Sequence, residues 1–180
     1  MEFLILSDAH GNRPAIERAL QLQVHSPDAV FFLGDGLREF FEVDPSLSAR
    51  FAVAGNCDFF LPFEMDEENR DACFLSFEGH RILLTHGHLF GVKGGYGRLL
   101  SYAHSKGADI VLCGHTHVPF LQTIPAGSEI EGARLSRPMY LFNPGSIGRD
   151  AEGKGYAFGT LVLKGENVLF SHGWIRPENL

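Results

Sequence analysis

Cysteine is scarce in this sequence. The chain contains three cysteines, Cys57, Cys73 and Cys113, and their spacing matches no zinc-ribbon pattern. Three thiols cannot all pair within one chain, so reduced cysteines in a reducing compartment are the simpler interpretation. We therefore predict a cytoplasmic protein.

The sequence also lacks a long apolar run. At the amino terminus an acidic residue, Glu2, precedes only four apolar residues, Phe3 to Leu6, and no small-residue cleavage signal follows. A helix that crosses a bilayer needs about 20 apolar residues, far more than this segment provides. We therefore predict no signal peptide and no membrane partner, and we interpret residues 3–6 as a buried first strand.

Basic residues are outnumbered by acidic ones. The chain has 15 Lys and Arg against 22 Asp and Glu, which gives a net charge of -7 and a pI near 5.7. Proteins that bind duplex nucleic acid neutralise its phosphates with clustered Lys and Arg. We therefore expect no nucleic-acid duplex as a partner, whereas a small phosphoester substrate remains compatible with this composition.

Internal repeats and low-complexity linkers are absent as well. A chain of 180 residues can bury roughly two thirds of its unfolded surface around one core. The composition is 44% hydrophobic and includes 21 glycines, which is typical of a soluble globular protein rich in tight turns. We predict a single domain over residues 1–180, and its apolar richness leaves room for a homo-oligomer.

Apolar runs that end in polar turns recur along the chain and predict strands. These runs cover residues 3–6, 29–33, 50–54, 73–77, 81–85, 108–113, 120–124, 139–142, 156–163 and 168–172. Helices are predicted over 14–24, where Asn12 can cap the first turn, and within 93–106. The acidic stretch 64–71 is predicted to be a solvated loop or a short helix. Strands that alternate with helices first and stand alone later predict an α/β fold, a two-sheet αββα sandwich with helices outside.

Oxygen and nitrogen donors follow five of the predicted strands. They are Asp8 and His10, Asp35, Asn56, His86, and His115 with His117. Residues two apart in extended chain project to the same side, so each spaced pair can reach one cavity. A single such residue is usually a cap or turn former, but seven at strand ends predict a metal site. Imidazole and carboxylate ligands suit Mn²⁺, Fe²⁺, Zn²⁺, Co²⁺ or Ni²⁺, with Mn²⁺ as our first choice.

These blocks resemble those of the calcineurin-like metallophosphoesterases, which read D-x-H, G-D, G-N-H-[DE], G-H and G-H-x-H in the same order. The sequence is most similar to the small bacterial and archaeal phosphodiesterases of that family. It shares their G-N-C-D form at residues 55–58, the T-H-G-H segment at 85–88 and an N-P-G-S turn at 143–146. The resemblance implies two divalent metal ions at the carboxyl ends of the strands and hydrolysis of a phosphate ester, with a phosphodiester as the expected substrate.

The resemblance also implies a division of the ligands between the two ions. By motif position, one ion is held by Asp8, His10 and His117, and the other by Asn56, His86 and His115. Asp35 bridges the two ions. Such a pair lowers the pKa of a shared water and presents the resulting hydroxide to phosphorus.

Cys57 and Asp58 are the catalytic candidates. Cys57 stands where many family members carry a histidine that assists the leaving group or contacts the phosphate, and a thiol is a poorer substitute for imidazolium. Loss of a positioned general acid typically costs about 10² to 10⁴ in rate, so a preference for phenolic leaving groups is predicted unless Cys57 only packs. Asp58 either orients His86, His115 or Cys57 or is a plain turn residue.

Other polar and aromatic residues near these blocks are predicted to play lesser roles. His88 is expected to lie outside the ligand set, and Arg38 to be a surface residue. The turn at 143–146 is expected to shape the site. Phe59, Phe60 and Phe63 either line a hydrophobic mouth or pack in the core or an interface.

Three other functions are compatible with parts of the sequence. A phosphomonoesterase would use the same pair of ions. A non-catalytic scaffold, like the retromer subunit of this fold, would bind partners through a degenerate site, which the seven intact positions oppose. A nuclease would need a basic stripe with interleaved aromatics, which the chain lacks.

Overall fold

The computed structural model describes residues 1–43, 49–59, 65 and 67–180. Within these residues the helices are α1 (Arg13–Gln21), α2 (Leu37–Glu42) and α3 (Gly97–Ser105). The strands are β1 (Glu2–Leu6), β2 (Ala29–Phe32), β3 (Ala49–Ala52), β4 (Ala72–Phe77), β5 (His80–Thr85), β6 (Ile110–Cys113), β7 (Phe120–Ile124), β8 (Glu129–Ile130), β9 (Ala133–Arg134), β10 (Met139–Asn143), β11 (Tyr156–Lys164) and β12 (Asn167–Ile175). None of the helices described is long and apolar enough to cross a bilayer.

Two five-stranded sheets form the body of the structure. The first has the order β12-β11-β1-β2-β3, and the second β4-β5-β6-β10-β7. Strands β1, β2 and β3 are parallel, as are β5, β6 and β10. Antiparallel strands adjoin the first set on the β1 side and the second set on both sides. A separate two-stranded ribbon pairs β8 with β9. Both parallel sets therefore present their carboxyl ends at one edge of the sandwich.

Three buried layers hold the sheets and helices together. Leu4 and Phe32 of the first sheet pack with Ile16 of α1 and Phe40 of α2. The layer between the two sheets includes Phe3, Phe31, Ile82, Ile110 and Phe142. The third layer packs α3, through residues such as Leu99, against the outer face of the second sheet. This is the predicted αββα sandwich.

The predicted helices are present, with different ends. Asn12 caps α1, its Oδ1 accepting a hydrogen bond from the Ala15 amide at 3.3 Å, but the helix stops at Gln21 and not near Val24. Helix α3 begins at Gly97, because the segment from 93 is a glycine-rich loop. The sequence analysis did not predict α2, which has only six residues and buries just Leu37 and Phe40.

The predicted strands agree with the observed ones to within about two or three residues at most ends. The hairpin β8–β9 was not predicted, since it contains only two residues on each side. The acidic stretch 64–71 is only partly described, and there Glu67–Asn69 form one turn of 3-10 helix. Phe60 and Phe63 lie outside the described residues.

Candidate metal centre

The carboxyl ends of five parallel strands bring the seven predicted ligands together. Asp8 follows β1, Asp35 follows β2 and Asn56 follows β3 in the first sheet; His86 follows β5 and His115 follows β6 in the second. His10 and His117 each lie two residues beyond a member of this set. The cluster therefore sits where the two sheets meet.

One group contains Asp8, His10 and His117. Nε2 of His10 is 3.2 Å from Nε2 of His117, and Asp8 Oδ1 is 3.2 Å from His117 Nε2 and 3.8 Å from His10 Nε2. One ligand atom from each of the three residues lies within 4.8 Å of the other two. This is a compact set of two imidazoles and one carboxylate, which one transition-metal ion can satisfy.

The other group contains Asn56, His86 and His115. Nε2 of the fully buried His86 lies 3.2 Å from Asn56 Oδ1 and 3.2 Å from His115 Nδ1. Asp35 lies between the two groups, because its Oδ2 is 3.5 Å from His86 Nε2 and 3.9 Å from His10 Nε2. The structure brings the seven residues together, and their division between two ions stays a prediction of the family resemblance.

Each of the two carboxylates is held in position by hydrogen bonds to one of its oxygens. Asp8 Oδ2 accepts hydrogen bonds from the Ser7 hydroxyl at 2.5 Å and the His115 amide at 3.1 Å. Asp35 Oδ1 accepts one from the Cys57 amide at 2.7 Å. Asp8 Oδ1 is buried and accepts no well-directed hydrogen bond from any residue that the structure describes. A buried carboxylate oxygen without a donor is costly unless a cation satisfies it.

The histidine ring nitrogens also fit bound cations. His86 Nδ1 donates to the Leu33 carbonyl oxygen at 2.7 Å, so in the neutral ring Nε2 carries a lone pair. That lone pair faces Asn56 Oδ1, which is itself an acceptor, because the Asn56 amide nitrogen donates to Cys57 Sγ at 3.3 Å. Two acceptors at 3.2 Å repel each other unless a positive charge lies between them. The donor set therefore fits a metal ion here.

Burial disfavours the protonated form of two histidines in the cluster, His115 and His10. It is the largest cause that lowers the pKa of His115 to about 4, and nearby charge on His86 and Lys93 lowers it further. Burial also lowers the pKa of His10, against the opposing effect of Asp8 and Asp35. For Asp8, burial raises the pKa, but the close His117 ring, the charge of His86 and the hydrogen bond from Ser7 outweigh it and lower the pKa overall. Neutral imidazoles and ionised carboxylates are the forms that bind metal.

Backbone strain is concentrated at this cluster. Among the described residues, seven other than glycine have positive φ, and five of them are predicted ligands: Asp8, His10, Asp35, His115 and His117. A positive φ is uncommon for residues with a Cβ, and at functional sites it persists where the surroundings enforce it. The turns after the strands thus aim these side chains inward at a cost in backbone energy.

Two glycines allow the turns to approach each other closely. A Cβ at Gly55 would overlap the Asp35 carboxylate, and a Cβ at Gly114 would overlap the Ser7 hydroxyl and crowd Asp8. Any larger residue at either position would push a carboxylate out of the cluster. These glycines are therefore required by contact between neighbouring strand ends.

Asp58 holds the turn that carries Asp35. Its carboxylate accepts hydrogen bonds from four backbone amides, those of Asp35, Gly36, Leu37 and Gly55, at 2.7–3.0 Å. These are all the hydrogen bonds that its carboxylate makes within the described residues, and no histidine is among the donors. The geometry favours the turn interpretation of Asp58 over the orientation of an imidazole.

Cys57 lies at the edge of the cluster. Its side chain is exposed, and its Sγ lies within 4.8 Å of a ring nitrogen of His10 and of a carboxylate oxygen of Asp35. Partial desolvation, together with the hydrogen bond to Asp35 and the charges of Asp35 and Asp58, raises the pKa of the thiol to about 11. The thiol therefore faces the site but is a weak acid.

The turn at 143–146 shapes the site, as predicted, through hydrogen bonds to the turns that carry the ligands. Asn143 and Ser146 are fully buried. Asn143 Nδ2 donates to the Gly114 carbonyl oxygen at 2.8 Å and to Thr116 Oγ1 at 3.0 Å, and the Ser146 hydroxyl donates to the Asp8 carbonyl oxygen at 2.8 Å. The turn thereby joins the strand ends of both sheets.

His88 and Arg38 lie beside the cluster. The His88 ring centre is 5.3 Å from that of His86, and its buried Nδ1 has no hydrogen-bond partner in the described part of the chain. Burial lowers the pKa of His88. Arg38 is largely exposed and pairs with Glu42 at 2.9 Å, as expected of a surface arginine.

Two clefts open beside the ligands. One, of about 300 Å³, is lined by His10, Asp35, Cys57 and the exposed Phe59, with Arg38 at its rim. The other, of about 570 Å³, is lined by residues 92–96 and by Thr116. In the sequence Thr116 stands between the predicted ligands His115 and His117. The sequence analysis did not single out residues 92–96, although their glycine-rich pattern directly after the T-H-G-H segment was a usable signal.

The sandwich and the ligand cluster at its edge define a metallophosphoesterase type of protein. The chain belongs to the calcineurin-like phosphoesterase superfamily, whose domain model matches residues 1–167. It is 33% identical over 147 residues to the "Probable metallophosphoesterase YsnB" of Bacillus subtilis, and the aligned region covers 82% of this chain and 75% of that protein. It is 28% identical over 182 residues to "Phosphodiesterase YfcE" of Escherichia coli, over 89% of this chain and 87% of that protein.

A solved structure extends the comparison to more distant proteins. Vps29 of Entamoeba histolytica complexed with Zn²⁺ superimposes with a TM-score of 0.64 and 19% identity, over 96% of this chain and 98% of that one. At this identity the likeness shows a shared fold and nothing more. Together with the family match it confirms the two-sheet architecture.

Proposed function

We propose that this protein is a phosphodiesterase that hydrolyses diesters with good leaving groups. The observation that carries the proposal is the pair of clefts beside the ligand cluster, one lined by His10 and Asp35 and the other by Thr116. A phosphodiester has two organic substituents to place, whereas a monoester has only one. The relative named as a phosphodiesterase supports the same choice.

Two divalent ions at this cluster would lower the pKa of a shared water, orient the phosphate and offset charge that develops on its oxygens. The proposed ligands are Asp8, His10 and His117 for one ion and Asn56, His86 and His115 for the other, with Asp35 between them. Since only two carboxylates stand in the cluster, a pair of dications leaves it net positive, so it can attract an anionic phosphate to an acidic protein.

The chain itself fixes the geometry. The hydrogen bond to Leu33 sets the ring orientation and tautomer of His86. The four amides bound by Asp58 hold the Asp35 turn. Because these contacts exist before substrate binds, little reorganisation is needed at the moment of reaction.

Cys57 determines the proposed leaving-group preference. Its thiol lines the smaller cleft and is a poor proton donor compared with imidazolium. Phenols depart without needing a proton, whereas alkoxides need one. We therefore assign the smaller cleft to the leaving group and expect aryl esters to react faster than alkyl esters.

Metal identity, location and partners belong to the same proposal. Mn²⁺ is our first choice of ion, with Ni²⁺, Zn²⁺, Fe²⁺ or Co²⁺ as alternatives, because all accept nitrogen and oxygen ligands. We propose a cytoplasmic single-domain protein that acts on a small phosphoester and binds neither duplex nucleic acid nor membrane.

The test is hydrolysis of an aryl diester, bis(p-nitrophenyl) phosphate, and the monoester p-nitrophenyl phosphate by metal-stripped protein. Each is assayed before and after addition of Mn²⁺, Ni²⁺, Zn²⁺ or Mg²⁺. Asp35→Asn should abolish activity, while Asp28→Asn is the matched control, because the Asp28 carboxylate binds the Glu2 amide at the opposite end of β1.

Each outcome of this assay points to one function. Metal-dependent cleavage of the diester that Asp35→Asn removes and Asp28→Asn retains would support the proposal. Faster cleavage of the monoester would make the protein a phosphomonoesterase. Silence with every metal would favour the scaffold function.

A further inference from the structure

The larger cleft has features that the hydrolysis reaction alone does not require. Its walls come from the loop of residues 92–96 and from Thr116, Val118 and Phe120 around the start of β7. Val92 is buried and packs against Gly87, so the loop is anchored next to His86. The volume of about 570 Å³ is within the range of small-molecule sites.

A cation stands in this cleft without a carboxylate partner. Lys93 is exposed and forms no ion pair with any residue in the described part of the chain. The cleft that Lys93 lines also includes Thr116, which lies between the proposed ligands His115 and His117 in the sequence. A negative group held in the cleft next to the phosphate would therefore meet Lys93.

Two stacked rings supply an apolar surface beside this cation. The ring centres of Tyr96 and Phe120 are 5.1 Å apart with an interplanar angle of 17°, and both residues are only partly buried. Val118, 44% exposed, extends the surface. Partly exposed aromatic faces of this kind bind planar rings through stacking.

We propose that this cleft receives the substituent that stays on phosphorus, and that Lys93, Tyr96 and Phe120 select a substituent with a planar ring and an additional negative charge. The inference rests on the proposed phosphodiesterase function, because it needs a diester whose leaving group occupies the smaller cleft near Cys57. Nucleoside phosphates belong to this chemical class.

The test uses three diesters with the same leaving group, p-nitrophenol. Their retained substituents are methyl, phenyl and 3-carboxyphenyl, so that one comparison adds a ring and the next adds only a charge. We expect kcat/KM to rise from methyl to phenyl. From phenyl to 3-carboxyphenyl it should rise about two- to fivefold, the range for a solvent-exposed ion pair. The rise in kcat/KM from phenyl to 3-carboxyphenyl should be smaller in high salt, since salt screens exposed charges.

Variants show which residues cause each rise in kcat/KM. In Lys93→Met the kcat/KM for the 3-carboxyphenyl diester should be close to that for the phenyl diester, and Lys93→Arg should keep most of the difference. Lys164→Met is the matched control, because Lys164 is exposed at the far end of β11. Gly94→Ala adds a methyl group that would meet only the Gly91 carbonyl oxygen at 3.5 Å, so the fold should tolerate it while the cleft narrows for ring substituents.

A binding measurement makes the test independent of turnover. The product analogues phenyl phosphate and 3-carboxyphenyl phosphate are titrated into labelled protein, and amide shifts of residues 93–96 are followed by NMR. Larger shifts and tighter binding for the carboxylated compound, lost in Lys93→Met, are expected.

The outcomes separate this inference from the proposed function. If the diesters are hydrolysed but the ratios are the same in wild type, Lys93→Met and Gly94→Ala, the selectivity assignment is wrong and the phosphodiesterase function stands. If no diester is hydrolysed with any metal, the proposed function fails. Equal NMR shifts for the two analogues would then overturn the cleft assignment as well.

Discussion

His86 donates a hydrogen bond from Nδ1 to the carbonyl oxygen of Leu33, at 2.7 Å, and this bond links the two sheets at the candidate metal centre. His86 follows β5 in the second sheet, and Leu33 follows β2 in the first. The bond sets the ring orientation, so one contact serves both the packing of the sheets and the presentation of Nε2.

The first prediction concerns His86 itself. His86→Ala should weaken binding of Mn²⁺ by more than tenfold, because it removes a ligand, and should destabilise the metal-free protein by about 1–3 kcal/mol, because it leaves the buried Leu33 carbonyl unpaired. Calorimetric metal titration and urea unfolding measure the two effects. His25→Ala, at an exposed histidine, is the control and should change neither. An unchanged metal affinity in His86→Ala would remove this residue from the proposed ligand set.

Asp58→Asn tests the assignment of Asp58 to the turn. The amide can accept at one oxygen only, so roughly two of the four backbone bonds lose their acceptor, and bonds to charged groups are worth about 1.5–3 kcal/mol each. We expect a loss of about 3–6 kcal/mol in the free energy of unfolding and weaker metal binding, with an unchanged ratio of aryl to alkyl ester hydrolysis. A normal stability combined with a changed ratio would instead indicate contact with the substrate.

Acid should destabilise the metal-free protein through its neutral histidines. The pKa of His115 is lowered to about 4, so between about pH 6.5 and 4 the unfolded chain binds a proton that the folded protein does not. The free energy of unfolding therefore falls as the pH falls through this window. Asp8, whose pKa is lowered, contributes its own loss only below its ordinary value of 3.8.

Urea unfolding at pH 6.5, 5.5 and 4.5 measures this dependence. In His115→Gln the free energy of unfolding should fall less steeply as the pH falls. The slope should decrease by up to the amount that uptake of one proton on unfolding produces. The same slope in the variant and in wild type would show that His115 does not carry the effect.

Replacement of Cys57 by histidine should restore a proton donor at the smaller cleft. Cys57→His is expected to raise the rate with alkyl esters relative to aryl esters by about tenfold or more, since positioned general acids contribute about 10² to 10⁴. Steady-state rates with p-nitrophenyl and alkyl esters give the ratio. Cys57→Ser provides the control without an imidazole, and it should leave the ratio near that of wild type. If Cys57 only packs, the histidine variant will behave like the serine variant.

The layered fold could be predicted because hydrophobic periodicity is a local signal. The run from Phe3 to Leu6 and the run from Ile110 to Cys113 are each buried on both faces, and their sequences show it directly. Helix α2 could not be found this way, since six residues with two buried positions carry little periodicity.

The ligand cluster was predictable because its residues follow strands whose ends must converge. The contacts that hold the ligands in position could not be predicted, because they depend on how closely distant parts of the chain approach each other in the fold. Nothing in the sequence indicates that Asp58 would accept four amides, or that Ser7 would bind Asp8. The stacking of Tyr96 on Phe120 likewise joins a loop to a strand 24 positions later.

The hydrogen bond from Ser146 to the Asp8 carbonyl spans 138 positions of sequence, and the bond from the His115 amide to Asp8 spans 107. No short fragment contains both ends of either contact, and long-range contacts of this kind form late when loop closure is costly. The ligand positions thus depend on contacts from nearly the whole chain, so metal affinity should appear only when nearly the whole chain has folded. By the same linkage, metal added to the finished protein should delay its thermal unfolding.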